Sequence, residues 1–481
     1  MYLFNTQSKK KEKLVPRDKT IRIYSCGPTV YNFAHIGNFR SYVAADLLQR
    51  FLRFQNFAVQ WVMNITDIDD KTIAKSIDKY PEEDPHKRLK KVTKYYEDAF
   101  FSDLEKLSVA KESFYKNPRA TEYIQAMQDL IKKIYEKGFA YEKDGSVYFD
   151  VKNFSKKNKY GILKNIDMDN FRATRIEEDD GKQTLADFVL WKKTKKDEPC
   201  WDFALDGNNL PGRPGWHIEC SAMSQAIFHG EFDIHTGGID LVFPHHENEI
   251  AQSRAAYDHG IAKFWFHNQY LSVNSEKMAK SKNNFLVLKD LEKKGYKPQV
   301  VRFFLLSVHY RSPMDFNEKN LRNAQRGLER INNFYQEILS IDEEGEEKSF
   351  SEVENICQKA LRGFSSSLED DLNISRALSF LFSLISEINT LLSQGKISGK
   401  KTKAVITKTI SDIDQVLGVI ADEDKNEEIP AEVISLAKKR DEFRKEKDFA
   451  NADKMRDQIL EKGFLIKDKD GGFEILPHRG R

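Results

Sequence analysis

The segment from Cys26 to Asn38 places a thiol, glycines, an imidazole and an amide within thirteen residues. It follows a β-branched and aromatic run, Thr20–Ser25, and leads into Phe39–Gln55, where apolar residues recur at helical spacing. Backbone N–H groups at a helix start bind phosphate, and Gly37 permits close approach because it has no Cβ. The segment therefore predicts a nucleotide site at His35, although an ordinary βα unit with a solvated histidine is the plain alternative.

Later cysteine, histidine and glutamate residues have the types that bind zinc. His245 and Glu249 are four apart, so they share one face of a helix that we expect to begin near Pro244. With Cys26 and Cys220 they form a candidate set of two thiolates, one imidazole and one carboxylate. Each has an alternative explanation, since a single cysteine is usually a small core residue. The His-His-Glu-Asn-Glu spacing does not match the H-E-x-x-H of zinc peptidases.

A loop of small and basic residues, Asn274–Asn284, carries Lys277 and Lys280 three positions apart. Two such lysines could close over a triphosphate and stabilise the charge that develops in a transition state. Lysine is common in this chain, so a solvated surface loop explains the pair equally well.

The composition bounds the class of protein. The 481 residues include 77 Lys and Arg against 75 Asp and Glu, and the mean hydropathy is −0.62. No apolar run approaches the roughly 18 residues of a membrane span. A net charge of +2 means that any polyanion must be held by a local basic surface. Four scattered cysteines and no apolar leader predict a cytoplasmic protein without disulfides.

The elements that would position these residues change along the chain. Strand-like runs at Thr20–Ser25, 57–65, 232–235 and 263–267 alternate with helical segments, which predicts a parallel α/β domain. From Asn117 to Asp206 the alternation gives way to one helical segment, short strand-like segments and polar loops, which predicts an insertion. After Asp315 the pattern is helical to the end. The acidic stretches 341–347 and 422–428 are typical of solvated linkers.

Four motifs in their order resemble the class I aminoacyl-tRNA synthetases and, within them, the cysteinyl-tRNA synthetases. They are Cys-Gly-Pro-Thr-Val-Tyr before His-Ile-Gly, Asn-Ile-Thr-Asp-Ile-Asp-Asp-Lys, Gly-Trp-His-Ile-Glu-Cys-Ser-Ala-Met and Phe-Pro-His-His-Glu-Asn-Glu. The match runs from about residue 2 to the C-terminal helices. Asn38 replaces the last histidine of the family's His-Ile-Gly-His, and Ala279 replaces the first serine of Lys-Met-Ser-Lys-Ser. We expect activity to survive both departures.

The resemblance implies an α/β fold class, with a Rossmann-like parallel-sheet catalytic domain that carries an insertion. An α-helical bundle and a small C-terminal module follow. The implied divisions are catalytic residues 1–116 and 207–270, the insertion 117–206, a lysine-loop and tRNA-stem region 271–318, a helical bundle 319–425 and an anticodon-binding module 426–481.

The implied reaction joins L-cysteine to ATP as cysteinyl-adenylate and then transfers it to the 3′ end of tRNA(Cys). The implied roles are phosphate contact by His35 and Asn38, transition-state stabilisation by Lys277 and Lys280, nucleotide contact by Gly37, Gly237, Gly238 and Asp240, cysteine contact by Gly27, Thr66, Trp216 and His235, and zinc ligation by Cys26, Cys220, His245 and Glu249.

The resemblance also implies one Zn²⁺ per chain, ATP used with Mg²⁺, no membrane partner and a monomer. Zinc prefers a soft thiolate to a hydroxyl. A metal–sulfur bond therefore discriminates against serine better than an apolar pocket, which achieves only about 10²-fold.

Other functions remain open on the residues alone. A ligase that transfers activated cysteine to an amino sugar would share the front of the chain but not the helices after Asp315. A nucleotidylyltransferase would not need the cysteine and histidine set. A non-catalytic, zinc-stabilised RNA-binding protein would not need His35 or the two lysines. Arg440, Arg444 and Lys447 in the C-terminal helices are candidates for RNA phosphate contacts, although a surface helix with i,i+4 ion pairs explains them equally well.

Overall fold

The computed structural model of the chain describes residues 1–165, 182–278, 284–347, 349–420, 431–445, 448–462, 464–469 and 472–477. The strands are β1 (Tyr2–Asn5), β2 (Lys10–Lys13), β3 (Thr20–Ser25), β4 (Ala58–Met63), β5 (Ala140–Lys143), β6 (Ser146–Phe149), β7 (Phe188–Lys193), β8 (Ala204–Leu205), β9 (Asn208–Asn209), β10 (Gly212–Pro214), β11 (Phe232–Gly238), β12 (Ala262–Asn268), β13 (Leu271–Val273), β14 (Glu276–Lys277), β15 (Met314–Phe316), β16 (Phe464–Lys469) and β17 (Gly472–Pro477). The α-helices are α1 (Ile36–Phe54), α2 (Asp70–Lys79), α3 (Pro85–Lys106), α4 (Ile124–Glu136), α5 (Val151–Ser155), α6 (Trp216–Phe228), α7 (Glu247–Tyr257), α8 (Leu288–Lys293), α9 (Pro298–Leu306), α10 (Glu318–Leu339), α11 (Phe350–Glu369), α12 (Ile374–Ser393), α13 (Lys400–Leu417), α14 (Ala431–Lys445) and α15 (Phe449–Glu461). These elements form two compact units, Met1–Ile420 and Ala421–Arg481.

A four-stranded parallel sheet lies at the centre of the first unit, with the strand order β12-β11-β3-β4. Its strands are buried on both faces, as parallel strands usually are. The predicted parallel α/β domain is therefore confirmed. The four predicted strands correspond to β3, β4, β11 and β12, with boundaries that differ by no more than about three residues.

The two faces of this sheet belong to separate hydrophobic cores, because successive side chains on a strand point in opposite directions. Ile23 of β3 packs into a core that contains residues of α1, α3 and α9 to α13. Tyr24, the next residue, packs into a core that contains residues of α4, α6, α7 and the inserted sheet. The sheet thus joins the helical bundle on one face to the insertion on the other.

Strands β5, β6 and β7 of the insertion form an antiparallel sheet with β10, which follows the insertion, in the order β10-β7-β6-β5. The strand predicted at 145–150 is β6. The helix predicted at 120–137 is α4, which follows a short 3-10 turn at Ala120–Glu122. After the insertion, β10 leads directly into α6 and returns the chain to the parallel sheet.

Helices α10 to α13 form the predicted bundle, in which α11 packs against both α12 and α13. Their apolar residues recur along one side of each helix and are buried. In the portions of the chain that the structure describes, no helix is both long enough and apolar enough to cross a lipid bilayer.

The prediction that the chain is helical to its end was wrong. In the second unit, β16 pairs with β17 as an antiparallel hairpin, from Phe464 opposite Pro477 to Lys469 opposite Gly472. The sequence Asp470-Gly471 between the strands is typical of a two-residue hairpin turn. Phe464 and Ile466 of β16, and Phe473 and Ile475 of β17, are two residues apart on their strands and pack in one core with α14 and α15. This period of two distinguishes the hairpin from the helices before it.

Candidate active site and metal-ligand cluster

The candidate site lies at the carboxyl ends of the parallel strands, where ligands bind in open α/β sheets. Cys26 directly follows β3, and Asn64 directly follows β4. The Gly27 backbone N–H donates to Asn64 Oδ1 at 2.8 Å. A Cβ at Gly27 would lie 1.6 Å from the Asn64 carbonyl oxygen. Only glycine therefore allows this loop to cross the end of β4.

The four predicted metal ligands come together in one cluster. The side-chain donor atoms of Cys26, Cys220, His245 and Glu249 all lie within 4.8 Å of one another. The two Sγ atoms are 3.7 Å apart, and His245 Nε2 lies 3.1 Å from Glu249 Oε1. Cys26 is half-buried and the other three are buried.

His245 and Glu249 lie on one helical run, as their spacing of four residues predicts. The turn Val242–His246 is interrupted at Phe243, whose φ of −143° and ψ of 132° are not helical, so the helical run that leads into α7 begins near Pro244, as expected. Helix α7 starts at Glu247 and continues from that turn. The two residues face one another, because the turn and α7 are contiguous.

A second group of histidines lies against the same cluster. His235 Nε2 is 2.8 Å from Glu249 Oε2, and His246 Nε2 is 3.1 Å from Cys26 Sγ. His246 Nδ1 lies 2.7 Å from His267 Nε2, and His267 Nδ1 lies 2.8 Å from Thr6 Oγ1. Cys26, His235, His246 and Glu249 thus form a second donor set that shares two members with the first.

Burial and close neighbours shift the pKa values in this cluster. Burial raises the pKa of the Cys26 thiol well above its usual value. Burial also opposes ionisation of Cys220, but hydrogen bonds with Cys26 and His245 lower its pKa to about 6. For Glu249, the charges of His235 and His245 outweigh burial and lower the pKa to about 2. Cys220 and Glu249 therefore supply the anionic donors that a cation requires, whereas the Cys26 thiol is held in its neutral form.

His35 caps α1, the helix that carries Gly37 and Asn38 in its first turn. His35 Nδ1 accepts the Asn38 backbone N–H at 3.2 Å, and Asn38 Oδ1 accepts the His35 backbone N–H at 3.1 Å. This reciprocal pair is a capping box. Because burial lowers the pKa of His35 and Nδ1 accepts, we assign the imidazole proton to Nε2. The Asn38 side chain therefore helps to cap α1, in addition to the phosphate contact that the motif implies for it.

The lysine loop returns to this same helix start. The Ile36 backbone N–H donates to the Leu286 carbonyl at 3.0 Å, and the Phe285 ring meets the His35 ring edge-on at 5.1 Å. Lys277 lies in β14, opposite Ser272 of β13. Lys280 lies outside the described residues, as does Ala279.

The remaining predicted residues surround the two clusters. Gly237 and Gly238 end β11, and Asp240 is exposed in the following 3-10 turn. The Thr66 hydroxyl donates to the buried Glu219 carboxylate at 2.7 Å. The Trp216 ring stacks on His245, with centroids 4.1 Å apart and planes at 24°. Trp216 also lines a cavity together with Asp69, Asp70, Lys192 and Arg213.

Comparisons with known proteins find relatives over the part of the chain that carries these motifs. Residues 13–326 match the family described as tRNA synthetases class I (C) catalytic domain, and residues 363–421 match the DALR domain. The chain is 41% identical over 483 residues to a cysteine–tRNA ligase of Chlamydia pneumoniae, across 99% of this chain and 98% of that protein. It is 41% identical over 477 residues to a cysteine–tRNA ligase of Leptospira interrogans, across 98% of both proteins.

The chain belongs to the cysteinyl-tRNA synthetase family. Among solved structures, this family member is similar to methionyl-tRNA synthetase of Mycobacterium tuberculosis, determined in complex with methionyl-adenylate. The TM-score is 0.58 at 14% identity, over 84% of this chain and 90% of that chain. At this identity the likeness concerns the fold, which is the class I synthetase fold that the motifs implied.

Sequence reasoning missed several residues of this cysteinyl-tRNA synthetase family member that contact the cluster. Asn64 holds the Gly27 backbone, and His217 Nδ1 lies 3.1 Å from His245 Nδ1. His246 contacts Cys26, as described above. Spacing could have indicated two of them, since His217 and Cys220, and likewise His246 and Glu249, are three apart and share a helical face.

Proposed function

We propose that this chain is a cysteine–tRNA ligase that activates L-cysteine with ATP and transfers the cysteinyl group to tRNA(Cys). The observation that carries the proposal is the convergence of Cys26, Cys220, His245 and Glu249 at the carboxyl ends of the parallel strands. The cysteine–tRNA ligases that the chain resembles cover nearly its whole length. Two thiols beside an imidazole and a carboxylate suit a metal that recognises sulfur.

We assign zinc to the set Cys26, Cys220, His245 and Glu249 rather than to the overlapping set. The first set offers two sulfur donors, and thiolates favour zinc over harder cations. His235 and His246 then act on the ligands, since one contacts Glu249 Oε2 and the other contacts Cys26 Sγ. Such outer contacts orient metal ligands. Bound there, Zn²⁺ supplies a soft Lewis acid that distinguishes a substrate thiolate from a serine hydroxyl.

In the first step, a carboxylate oxygen of cysteine attacks the α-phosphorus of ATP. The bond between the α-phosphorus and the oxygen that bridges it to the β-phosphorus breaks, and pyrophosphate leaves. His35 donates from Nε2–H to a phosphate oxygen, because its Nδ1 is engaged by the Asn38 backbone. Lys277 and Lys280 neutralise charge that develops on the phosphates. Gly37, Gly237, Gly238 and Asp240 contact the nucleotide.

In the second step, a hydroxyl of the terminal tRNA ribose attacks the activated carbonyl carbon. The carbon–oxygen bond to the phosphate breaks, AMP leaves, and the hydroxyl loses its proton. Gly27, Thr66, Trp216 and His235 surround the amino acid in both steps. Trp216 is suited to this role because its ring packs directly on His245.

The remaining assignments are a monomeric, cytoplasmic enzyme with the six divisions given above. Transfer to an amino sugar is the second candidate. Helices α10 to α13 and the separate unit from Ala421 onward weigh against it, since a sugar acceptor needs no surface for a long RNA.

Pyrophosphate exchange separates these functions. We expect cysteine to support ATP–pyrophosphate exchange, serine to do so at least about 10²-fold less efficiently, and unfractionated tRNA to become charged with cysteine. Exchange without charging would favour the sugar ligase. Absence of cysteine-dependent exchange would reject an activating enzyme altogether.

A further inference from the structure

Three aromatic rings meet beside the loop that precedes His35. Phe33 packs edge-on against Tyr95 and Tyr96 of α3, with centroid distances of 6.1 and 5.4 Å. Tyr95 and Tyr96 are themselves 5.1 Å apart at 79°. We call Phe33, Tyr95 and Tyr96 the aromatic cluster.

Packing of the protein core accounts for only one of these rings. Tyr96 is buried, whereas Tyr95 is 61% exposed and Phe33 is 39% exposed. Among the phenylalanines that the structure describes between residues 1 and 420, Phe33 is the only exposed one. Tyr96 therefore supports two rings whose surfaces face solvent, a costly arrangement for a core but a useful one for a binding surface.

The aromatic cluster includes a residue that lies close along the chain to the candidate active site. Phe33 is two residues before His35, and Tyr31 is two residues before Phe33. The Lys71 ammonium lies 5.4 Å from the Tyr31 ring centroid. Lys71 follows Asp70 in α2, and Asp70 lines the cavity that Trp216 shares. The segment that leads into His35 thus carries two aromatic rings, one beside a cation and one in the aromatic cluster.

We propose that Phe33 and Tyr95 form a stacking platform for unpaired bases at the 3′ end of the tRNA. This rests on the proposed function, in which that end must reach the cysteinyl-adenylate. Exposed rings beside cations are the features with which proteins bind single-stranded nucleic acid, since every base has a π-face. RNA binding fits better than a protein partner, because the Lys71 ammonium beside the Tyr31 ring supplies a cation for a phosphate. Lys91, 5.2 Å from the Tyr80 ring, is paired with Glu83 and does not serve this role.

The test compares two tRNAs and three proteins. The full chain, its Tyr95→Ala variant and its Tyr95→Trp variant are titrated with intact tRNA and with tRNA that lacks the unpaired 3′ nucleotides. We expect Tyr95→Ala to weaken binding of intact tRNA about 5-fold or more, and Tyr95→Trp to restore it. The truncated tRNA should bind all three proteins equally.

Tyr2→Ala is the matched control. Tyr2 is 53% exposed, but it lies in β1, which packs against β12 at the opposite edge of the sheet from β4. In charging assays, Tyr95→Ala should raise the KM for tRNA, whereas the KM for ATP in pyrophosphate exchange should match that of Tyr2→Ala.

Equal weakening with both tRNAs would place the contact on the duplex and overturn the proposal. Unchanged binding of intact tRNA would overturn it too and would favour a protein partner for these rings. If the unaltered chain performs no exchange or charging, the proposed function itself fails, which is a different result from either.

Discussion

Cys220 is the residue whose role depends most on its neighbours. It lies in α6 and faces Cys26 across 3.7 Å, with His245 and Glu249 on the same side. A cysteine alone in a helix would be a small apolar residue. Beside a second thiol, an imidazole and a carboxylate, it is one of the four residues to which we assign zinc.

Replacing this sulfur tests the zinc assignment. We expect Cys220→Ser to lower the zinc content and to raise the KM for cysteine by about tenfold or more. Even the loss of a residue that only contacts a metal ligand typically lowers metal affinity or activity about 10- to 100-fold. ATP binding should change little. Metal analysis and cysteine-dependent exchange measure the two effects.

Cys200→Ser is the control for that experiment. Cys200 is half-buried in the insertion, and its backbone N–H lies 3.2 Å from His86 Nε2. The control should retain zinc and cysteine affinity. Full zinc occupancy and normal KM in Cys220→Ser would remove Cys220 from the ligand set.

At the scale of elements, the first turn of α1 combines two tasks. His35 caps the N-terminus of α1, because its Nδ1 accepts the Asn38 backbone N–H. Its Nε2 is then left for a phosphate. Asn38 completes the cap in return. The family's usual histidine at this position is thus replaced by a residue that stabilises the helix start.

Two substitutions at His35 separate these tasks. His35→Asn retains an N-cap acceptor, whereas His35→Ala removes it, and loss of such a cap costs about 1 kcal/mol. We expect both variants to lose most exchange activity, but only His35→Ala to unfold at clearly lower temperature. Thermal denaturation measures the contribution of the cap, and pyrophosphate-exchange kinetics measure the contribution of the phosphate contact. Equal melting temperatures for the two variants would show that the cap contributes nothing.

Neighbouring elements are also placed by glycines. Gly215 caps α6 at a point where an added Cβ would lie 2.2 Å from the Val189 carbonyl oxygen. This contact ties the insertion strand β7 to the helix that carries Trp216 and Cys220. The insertion therefore helps to position the ligand helix.

At the scale of the whole first unit, a buried ion pair joins α1 to the helical region. Arg302 of α9 contacts Asp46 of α1 at 2.6 Å, and both side chains are fully buried. Arg302 also donates to the Leu417 and Leu107 carbonyls, at 2.6 and 2.8 Å. One guanidinium thus connects the sheet domain with the end of α13.

Breaking this pair should destabilise the protein strongly. Arg302→Met leaves Asp46 buried with Arg50 as its remaining charged partner, and removal of one member of a buried pair costs about 3–5 kcal/mol. Denaturation curves measure the loss. Asp46→Leu combined with Arg302→Met should lose less than Arg302→Met alone, because the fully buried carboxylate is removed as well, and the partly exposed Arg50 keeps its hydrogen bonds to the Gln415 and Ser108 carbonyls.

The same pair predicts a pH dependence. Burial alone would raise the pKa of Asp46, but the charges of Arg302 and Arg50 hold it below the usual value. Its contribution to stability is therefore present above about pH 4, near the unfolded pKa, and is lost as the pH falls through the folded pKa. Stability that is insensitive to pH below 4, relative to Asp46→Leu with Arg302→Met, would contradict this.

The sequence by itself determined the parallel sheet, the bundle helices and the family. Strand and helix patterns are local, and the four motifs are specific enough to identify the family without contacts. The C-terminal hairpin was also available from the spacing of Phe464, Ile466, Phe473 and Ile475 and from the residue types of Asp470-Gly471, although the prediction there was wrong.

Only the tertiary structure decided which donors meet. Cys26 and Glu249 are far apart in the chain, and no periodic pattern in the sequence predicts that the end of β3 and α7 bring them into one cluster. The same holds for His246 against Cys26, and for Phe33 against Tyr95. Such contacts depend on strand order and on helix packing across the sheet, which are properties of the assembled core rather than of any segment.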